Sequence, residues 1–235
     1  MRDMCVRGIF RSGTNFLKAT IELNYEVRVK YDTYGWKHYF FPVINEGSRA
    51  SYPLDPCVFI ARNPYLALES LHRYFKSNKR NLVSECSTSL STFLKNELII
   101  KDGGSIKSPH LWFPNPVVMW CQINHNAATA SSALGDRSRF IKYEDLVDET
   151  EETVSSIMKG FGIPGRNKNF IVPDSRTKNL GENNHKASDF FTGAKFDRGA
   201  VRLENILKSF TGDDMSFIRR SIPAHIGEAL GYCIL

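Results

Sequence analysis

Three times along the chain, a short run rich in β-branched and aromatic residues passes through a turn into a pattern with helical spacing. MCVRGIF leads through RSG into TNFLKATIEL, CVFIAR leads through Asn63 and Pro64 into YLALESLHRYF, and SRFIKYEDL leads into EETVSSIMKGFGI. Strands that alternate with helices pair side by side in parallel, and the crossover helices then cover the faces of the sheet. The chain is therefore expected to be an α/β protein with a central parallel β-sheet flanked by helices. At 235 residues it is close to the size at which single cores stop growing, so residues 1–235 are read as one domain.

The remaining segments are organised around these units. Thr14 opens a helix expected to run to about Leu23, and Pro64 stands in the first turn of the next, where its missing N–H costs nothing. Residues 78–115 are polar and rich in Ser and Thr, apart from one short helical patch, STFLKNEL. PVVMWCQINHNAATASSAL then reads as a long buried helix. Residues 164–197 show little periodicity, and a structureless stretch of that length is uncommon unless it binds something. Both 78–115 and 164–197 are expected to be loops that cover or wall a site. ENILKSF, and MSFIRRSI through EALGYCIL, return to helical spacing and are expected to dock on the sheet.

Composition narrows the function classes. Mean hydropathy is −0.31, and no run approaches the ~18 uninterrupted apolar residues of a membrane helix. Charges inside the opening MRDMCVRGIF argue against a cleavable signal peptide, so a cytoplasmic location without integral membrane association is expected. Five cysteines at irregular spacings, with no C-x-x-C pair, speak against a disulfide framework and a zinc site. The net charge of +6 fits a polyanionic small ligand, a nucleic acid or an anionic surface equally well.

The opening loop has chemistry of its own. GIFRSGTNFL keeps the glycine spacing of a nucleotide-triphosphate loop but has Thr14 where that loop has lysine. A glycine turn between a strand and a helix directs backbone N–H groups and the helix dipole at one point, which suits an anion. Ser12, Gly13, Thr14 and Asn15 line this turn, with Arg11 at its lip; a packing turn with no ligand would use the same glycines. A magnesium nucleotide site also wants a strand-end aspartate, which neither CVFIAR nor SRFIKY supplies, and Glu144 and Asp145 read as the acidic start of a helix. Arg62 ends the second strand, where parallel sheets bind ligands, and Ser70 lies two helical turns further on. The pair can hold a phosphate, although taken alone a surface ion pair and a packing hydroxyl are the plainer reading. In WKHYFFP, Lys37 and His38 are adjacent: a histidine is a natural general base and an ammonium stabilises charge on a transferring group. The same imidazole can equally be a packed aromatic neighbour.

Taken in order, RSGTNFL, GWKHYFFP, FIARNPYLALESLHRYF, FIKYEDL and a terminal LGY resemble the PAPS-dependent sulfotransferases, and the resemblance runs from near residue 5 to the end. It implies the P-loop nucleotide-hydrolase-like sulfotransferase fold. It also implies sulfonyl transfer from 3′-phosphoadenosine 5′-phosphosulfate (PAPS) to a hydroxyl or amine, with release of the bisphosphate PAP and no metal. Carried over by position, residues 11–15 wrap the 5′-phosphosulfate, with Arg11 in place of the family's loop lysine, and Arg62 and Ser70 hold the 3′-phosphate. His38 takes the place of the catalytic histidine, with Lys37 directly adjacent rather than one residue removed, which leaves open which side chain is the base. Arg198 in DRGAVR matches a basic C-terminal loop that touches the 3′-phosphate, with Lys195 and Arg202 as rivals. The acceptor would be a small molecule or a carbohydrate, stacked on aromatics near Trp36 or Trp112, and no nucleic acid is implied. Two other readings of the residues stay open at this point, an ATP- and magnesium-dependent P-loop kinase and a non-catalytic anion- or nucleic-acid-binding module.

Overall fold

A computed structural model describes residues 2–31, 35–41, 55–77, 82–101, 110–173, 175–177, 191–195 and 202–234. Its first half runs β1 (Arg2–Arg7), α1 (Thr14–Asn24), β2 (Val27–Lys30), β3 (Cys57–Ala61), α2 (Pro64–Ser77), α3 (Leu90–Lys95), β4 (Leu98–Ile100) and β5 (Leu111–Phe113). The second half adds α4 (Pro116–Leu134), β6 (Ser138–Lys142), α5 (Tyr143–Asp148), α6 (Thr150–Gly160), β7 (Ser175–Thr177), β8 (Phe191–Lys195), α7 (Leu203–Leu207), α8 (Gly212–Ser221) and α9 (Ala224–Ala229).

Four of the strands form a parallel sheet in the order β2-β1-β3-β6. Side-chain alternation assigns the two faces. Met4, Val6, Val58 and Ile60 pack with Leu17 and Ile21 of α1 and with Val154, Ile157 and Met158 of α6. Cys5, Cys57 and Phe59 point the other way, against Ala127, Ala130 and Leu134 of α4. β3 is thus covered on both sides, and all five of its residues are buried, which explains why CVFIA reads as one apolar run without alternation. A larger apolar layer joins α2, α4, the β4–β5 pair and the C-terminal helices, with Trp120 fully buried inside it.

The chain leaves β1 toward β2 on one side and returns through β3 on the other. Such a reversal opens a crevice beyond the carboxyl ends of the two central strands, the usual ligand position in parallel α/β sheets. The loop after β1 and the turn after β3 meet there.

Three expectations are corrected. The strand expected over SRFIKYEDL stops at Lys142, and Tyr143 begins α5 with Glu144 and Asp145 in its first turn, where carboxylates favour the helix dipole. Residues 78–115 are not all loop: β4 pairs antiparallel with β5, and Leu82 bridges to Ile100. Residues 164–197 contain the antiparallel pair β7 and β8. Strands of three residues are too short for alternation to be readable, and a pairing that defines them lies far away in sequence.

Candidate active site at the carboxyl edge of the sheet

The loop between β1 and α1 owes its shape to close packing. A side chain at Gly8 would lie 2.4 Å from Ser12 Oγ and 2.5 Å from the Ile60 carbonyl, and one at Gly13 would lie 2.5 Å from the Tyr143 ring. Gly13 also has φ 89°, a left-handed value that glycine adopts without strain. Ser12 is fully buried, and its hydroxyl donates to the Ile9 carbonyl at 2.7 Å; its one proton braces the loop. Gly13 gives α1 no side-chain cap, so the first N–H groups of that helix face the loop mouth without a side-chain acceptor from their own cap. Thr14 is buried in the first turn.

Arg11 is the only non-glycine residue among those described with a left-handed backbone, φ 65°. For an arginine such a conformation is costly and persists only when its surroundings enforce it. Here Arg62 Nη1 donates to the Arg11 carbonyl at 2.9 Å, and Arg11 Nε reaches Ser70 Oγ at 3.3 Å. The Arg11 guanidinium also lies 5.5 Å from the Tyr74 ring centroid. The sequence-predicted trio of Arg11, Arg62 and Ser70 is therefore assembled in one place. Arg11 turns toward Ser70, on the side that the resemblance gives to the 3′-phosphate, although the resemblance aligns it with the 5′ end of the donor.

Arg62 is not a surface residue. It is 4% exposed, packs 4.4 Å from the Tyr143 ring, and its buried Nε has no hydrogen-bond partner among the described residues. Burial lowers its pKa, while Tyr143, Glu144 and Glu69 pull the other way. Burial, followed by the like charge of Arg62, also lowers that of Arg11. Guanidinium remains charged under both shifts. Two cations thus share a dry corner with a hydroxyl and an unused donor, an arrangement that an anion with several acceptor oxygens would relieve.

The Lys37–His38 turn sits beside the loop. Lys37 Nζ donates to Asn15 Oδ1 at 2.8 Å and lies 3.4 Å from the Tyr31 ring centroid, and the Tyr31 hydroxyl donates to the same Asn15 oxygen at 2.9 Å. His38 Nδ1 is 2.7 Å from the Gly8 carbonyl. A carbonyl only accepts, so Nδ1 carries the proton and the neutral ring presents Nε2 as its acceptor. Burial, then the charge of Lys37, holds the imidazole well below its ordinary pKa, against the pull of the Gly8 hydrogen bond. The ring stacks on Phe10 at 4.4 Å, with Trp36 edge-on at 5.3 Å.

A strut that motif reading missed joins the C-terminus to the site. Glu144 accepts from the Asn63 N–H at 2.9 Å through one oxygen and from the Tyr232 hydroxyl at 2.9 Å through the other. Burial and then Glu144 raise the Tyr232 pKa, so the phenol stays a donor. Asn63 Oδ1 in turn caps α2 by accepting from the Tyr65 N–H, and Trp120 Nε1 donates to the Arg62 carbonyl at 2.9 Å. The terminal LGY thus fixes the turn that carries Arg62, and Glu144 has both oxygens engaged in that task. The signal available in sequence was an acidic residue beside a buried strand end, where an unpaired carboxylate is rare.

Other expected residues are less informative. Arg198 lies outside the described residues, as does Tyr34, and nothing is described for the Lys195 side chain. Arg202 is exposed and 4.0 Å from Glu204. Tyr31, Phe41, Phe113 and Trp120 are core residues, Trp36, Tyr39 and Phe40 are half-buried near His38, and Trp112 is 59% exposed with its indole N–H on Glu97. Among the described residues, no cluster of His, Cys, Asp and Glu is placed to hold a metal ion, and no helix is long and apolar enough to cross a membrane. No family model matches the chain, and no curated protein matches it.

Proposed function

We propose that this protein is a sulfotransferase of the P-loop type, which moves a sulfonyl group from PAPS to a hydroxyl or amine of a small-molecule or carbohydrate acceptor and releases PAP. The observation that carries the reading is the buried Arg62, its Nε without a partner among the described residues, set beside Arg11 and Ser70 at the carboxyl ends of β1 and β3. The residues fit a bisphosphorylated donor: two guanidiniums and a hydroxyl for one phosphate, and a glycine loop with an uncapped helix for the other. When bound, the donor supplies an activated sulfonyl group on a phosphate leaving group.

The chain's own part is positioning and electrostatics. His38 Nε2 takes the proton from the acceptor as its oxygen or nitrogen bonds to sulfur, and the electron pair of the broken S–O bond stays on the departing phosphate. Lys37 is a less suitable base, because its ammonium is committed to Asn15 and stacked on Tyr31; it contributes positive charge near the transferring group. The loop amides stabilise charge on the departing phosphate, while Arg11 stays with Arg62 and Ser70 at the other phosphate.

Isothermal titration of the full chain with PAP tests the assignment. Wild type binds, and Arg62→Ala and Ser70→Ala bind more weakly. Absence of wild-type binding, or equal affinity in all three, refutes the donor site.

A further inference from the structure

Arg7 ends β1 one residue before Gly8, and it is drawn inward: the side chain is 2% exposed, a rare condition for an arginine. Nη1 donates to the Gly35 carbonyl at 2.9 Å, and Nη2 donates to the carbonyls of Trp36 at 2.9 Å and Tyr39 at 3.4 Å. The guanidinium also lies 5.4 Å from the Phe41 ring centroid. All these groups belong to one irregular turn, residues 35–41, which carries Lys37 and His38. From the opposite side, Asn126 of α4 grips the end of that turn. Its Oδ1 accepts from the Phe41 N–H at 2.6 Å and its Nδ2 donates to the Phe41 carbonyl at 3.0 Å, the pattern a neighbouring strand would otherwise provide. The Gly8 N–H closes the arrangement by donating to the Lys37 carbonyl at 3.1 Å.

We propose that Arg7, backed by Asn126, is a positioning residue for the base: it fixes the carbonyls of residues 35, 36 and 39 so that His38 Nδ1 meets Gly8 and Nε2 is presented at the crevice. The proposal rests on the reading of His38 as the general base. A guanidinium suits this task because its donors form a rigid planar fork that can hold several carbonyls at fixed angles, whereas an ammonium is a point charge on a flexible stem. Its charge has a second effect. Arg7 from β1, Lys37 from the turn itself and Arg11 from the loop are the cations acting on His38, and each disfavours protonation of the ring. The rings of Phe10 and Trp36 complete the surroundings of the imidazole.

Three variants of the full chain separate geometry from charge: Arg7→Lys, Arg7→Gln and Asn126→Ala. The readouts are ¹⁵N imidazole spectra of His38 as a function of pH, PAP affinity by calorimetry, and the pH profile of sulfonyl transfer. Because a displacement of about 1 Å at a reacting group costs on the order of 100-fold in rate, Arg7→Lys and Arg7→Gln are each expected to lower kcat by about 10- to 100-fold, with PAP affinity close to wild type. The glutamine variant alone moves the acid limb of the profile, and the His38 midpoint, upward. Asn126→Ala lowers kcat by a smaller factor and leaves the midpoint in place. A wild-type rate, Nδ1–H tautomer and midpoint in Arg7→Gln would overturn the proposal. Should the Arg7 variants fail to fold, a wild-type rate and tautomer in Asn126→Ala overturns it, and a mixed tautomer with a lowered rate supports it. If wild type does not bind PAP, the transfer reading falls, while the spectra still decide whether Arg7 sets the ring.

Discussion

The two halves of the crevice are built on opposite terms. Around His38 the ring is met by Gly8, Lys37 by Asn15 and Tyr31, and carbonyls of the turn by Arg7 and Asn126. Around Arg62 a buried donor has no partner among the described residues, burial and then the charge of Arg62 lower the pKa of Arg11, and Arg11 holds a left-handed backbone that arginine disfavours. On the proposed reading, the first half is finished without a ligand and the second is completed by one. A site that aligns a base and waits for an anion concentrates its strain where binding energy is later released, and keeps its reacting group preorganised.

The contrast breaks most decisively at His38. General-base catalysis contributes about 10²- to 10⁴-fold, so His38→Ala is expected to lose transfer activity on that scale while PAP affinity, measured by calorimetry, stays near wild type. A matching loss of PAP binding would show that the two halves are not separable. Next in size is Arg62→Ala. Hydrogen bonds from a charged donor are worth about 1.5–3 kcal/mol, so PAP affinity should fall by roughly 10- to 100-fold, and a thermal shift given by saturating PAP should shrink with it. Ser70→Ala removes a neutral partner of about 1 kcal/mol and should weaken PAP by about 5-fold. An Arg62 effect no larger than that of Ser70 would mean that the unpartnered Nε is not the ligand's anchor.

Legibility in the sequence followed the range of the interactions. The three strand-to-helix units are local: β1 and β3 with α1 and α2 are where periodicity and Pro64 or Gly13 put them, while β6 starts as expected but gives way at Tyr143 to the short helix α5. Arg11, Arg62 and Ser70 were readable because each stands at a fixed offset from a glycine or a proline that makes a turn. The strand order was not, since it depends on pairings such as Cys5 with Cys57 that no local pattern encodes. Arg7 and Glu144 were missed for a related reason: their partners are 28 to 32 and 81 to 88 residues away, and the apolar context of CVRG hid a charge that has to be satisfied at long range. The strands β4, β5 and β7 escaped because three residues cannot display a period, and β8 because Gly193 lies inside it.

The smallest expected effect tests the comparison without any acceptor. An unfolded histidine titrates near 6.5, whereas folded His38 is held neutral well below that by burial and by Lys37. As pH falls through 6.5 the unfolded chain therefore binds a proton that the folded chain refuses, and stability is lost with falling pH. For a ring that stays neutral in the fold, linkage gives a loss of about 0.7 kcal/mol between pH 7 and pH 6. The stability difference between wild type and His38→Gln, followed by urea unfolding, isolates this contribution from the other histidines, and it should shrink by that amount over the same interval. PAP brings negative charge to the crevice and raises the folded pKa toward 6.5, so saturating PAP should flatten the slope. A slope that is absent without ligand would place His38 in solvent contact and undo the finished half of the site; a slope that PAP leaves unchanged would place the anion away from the base.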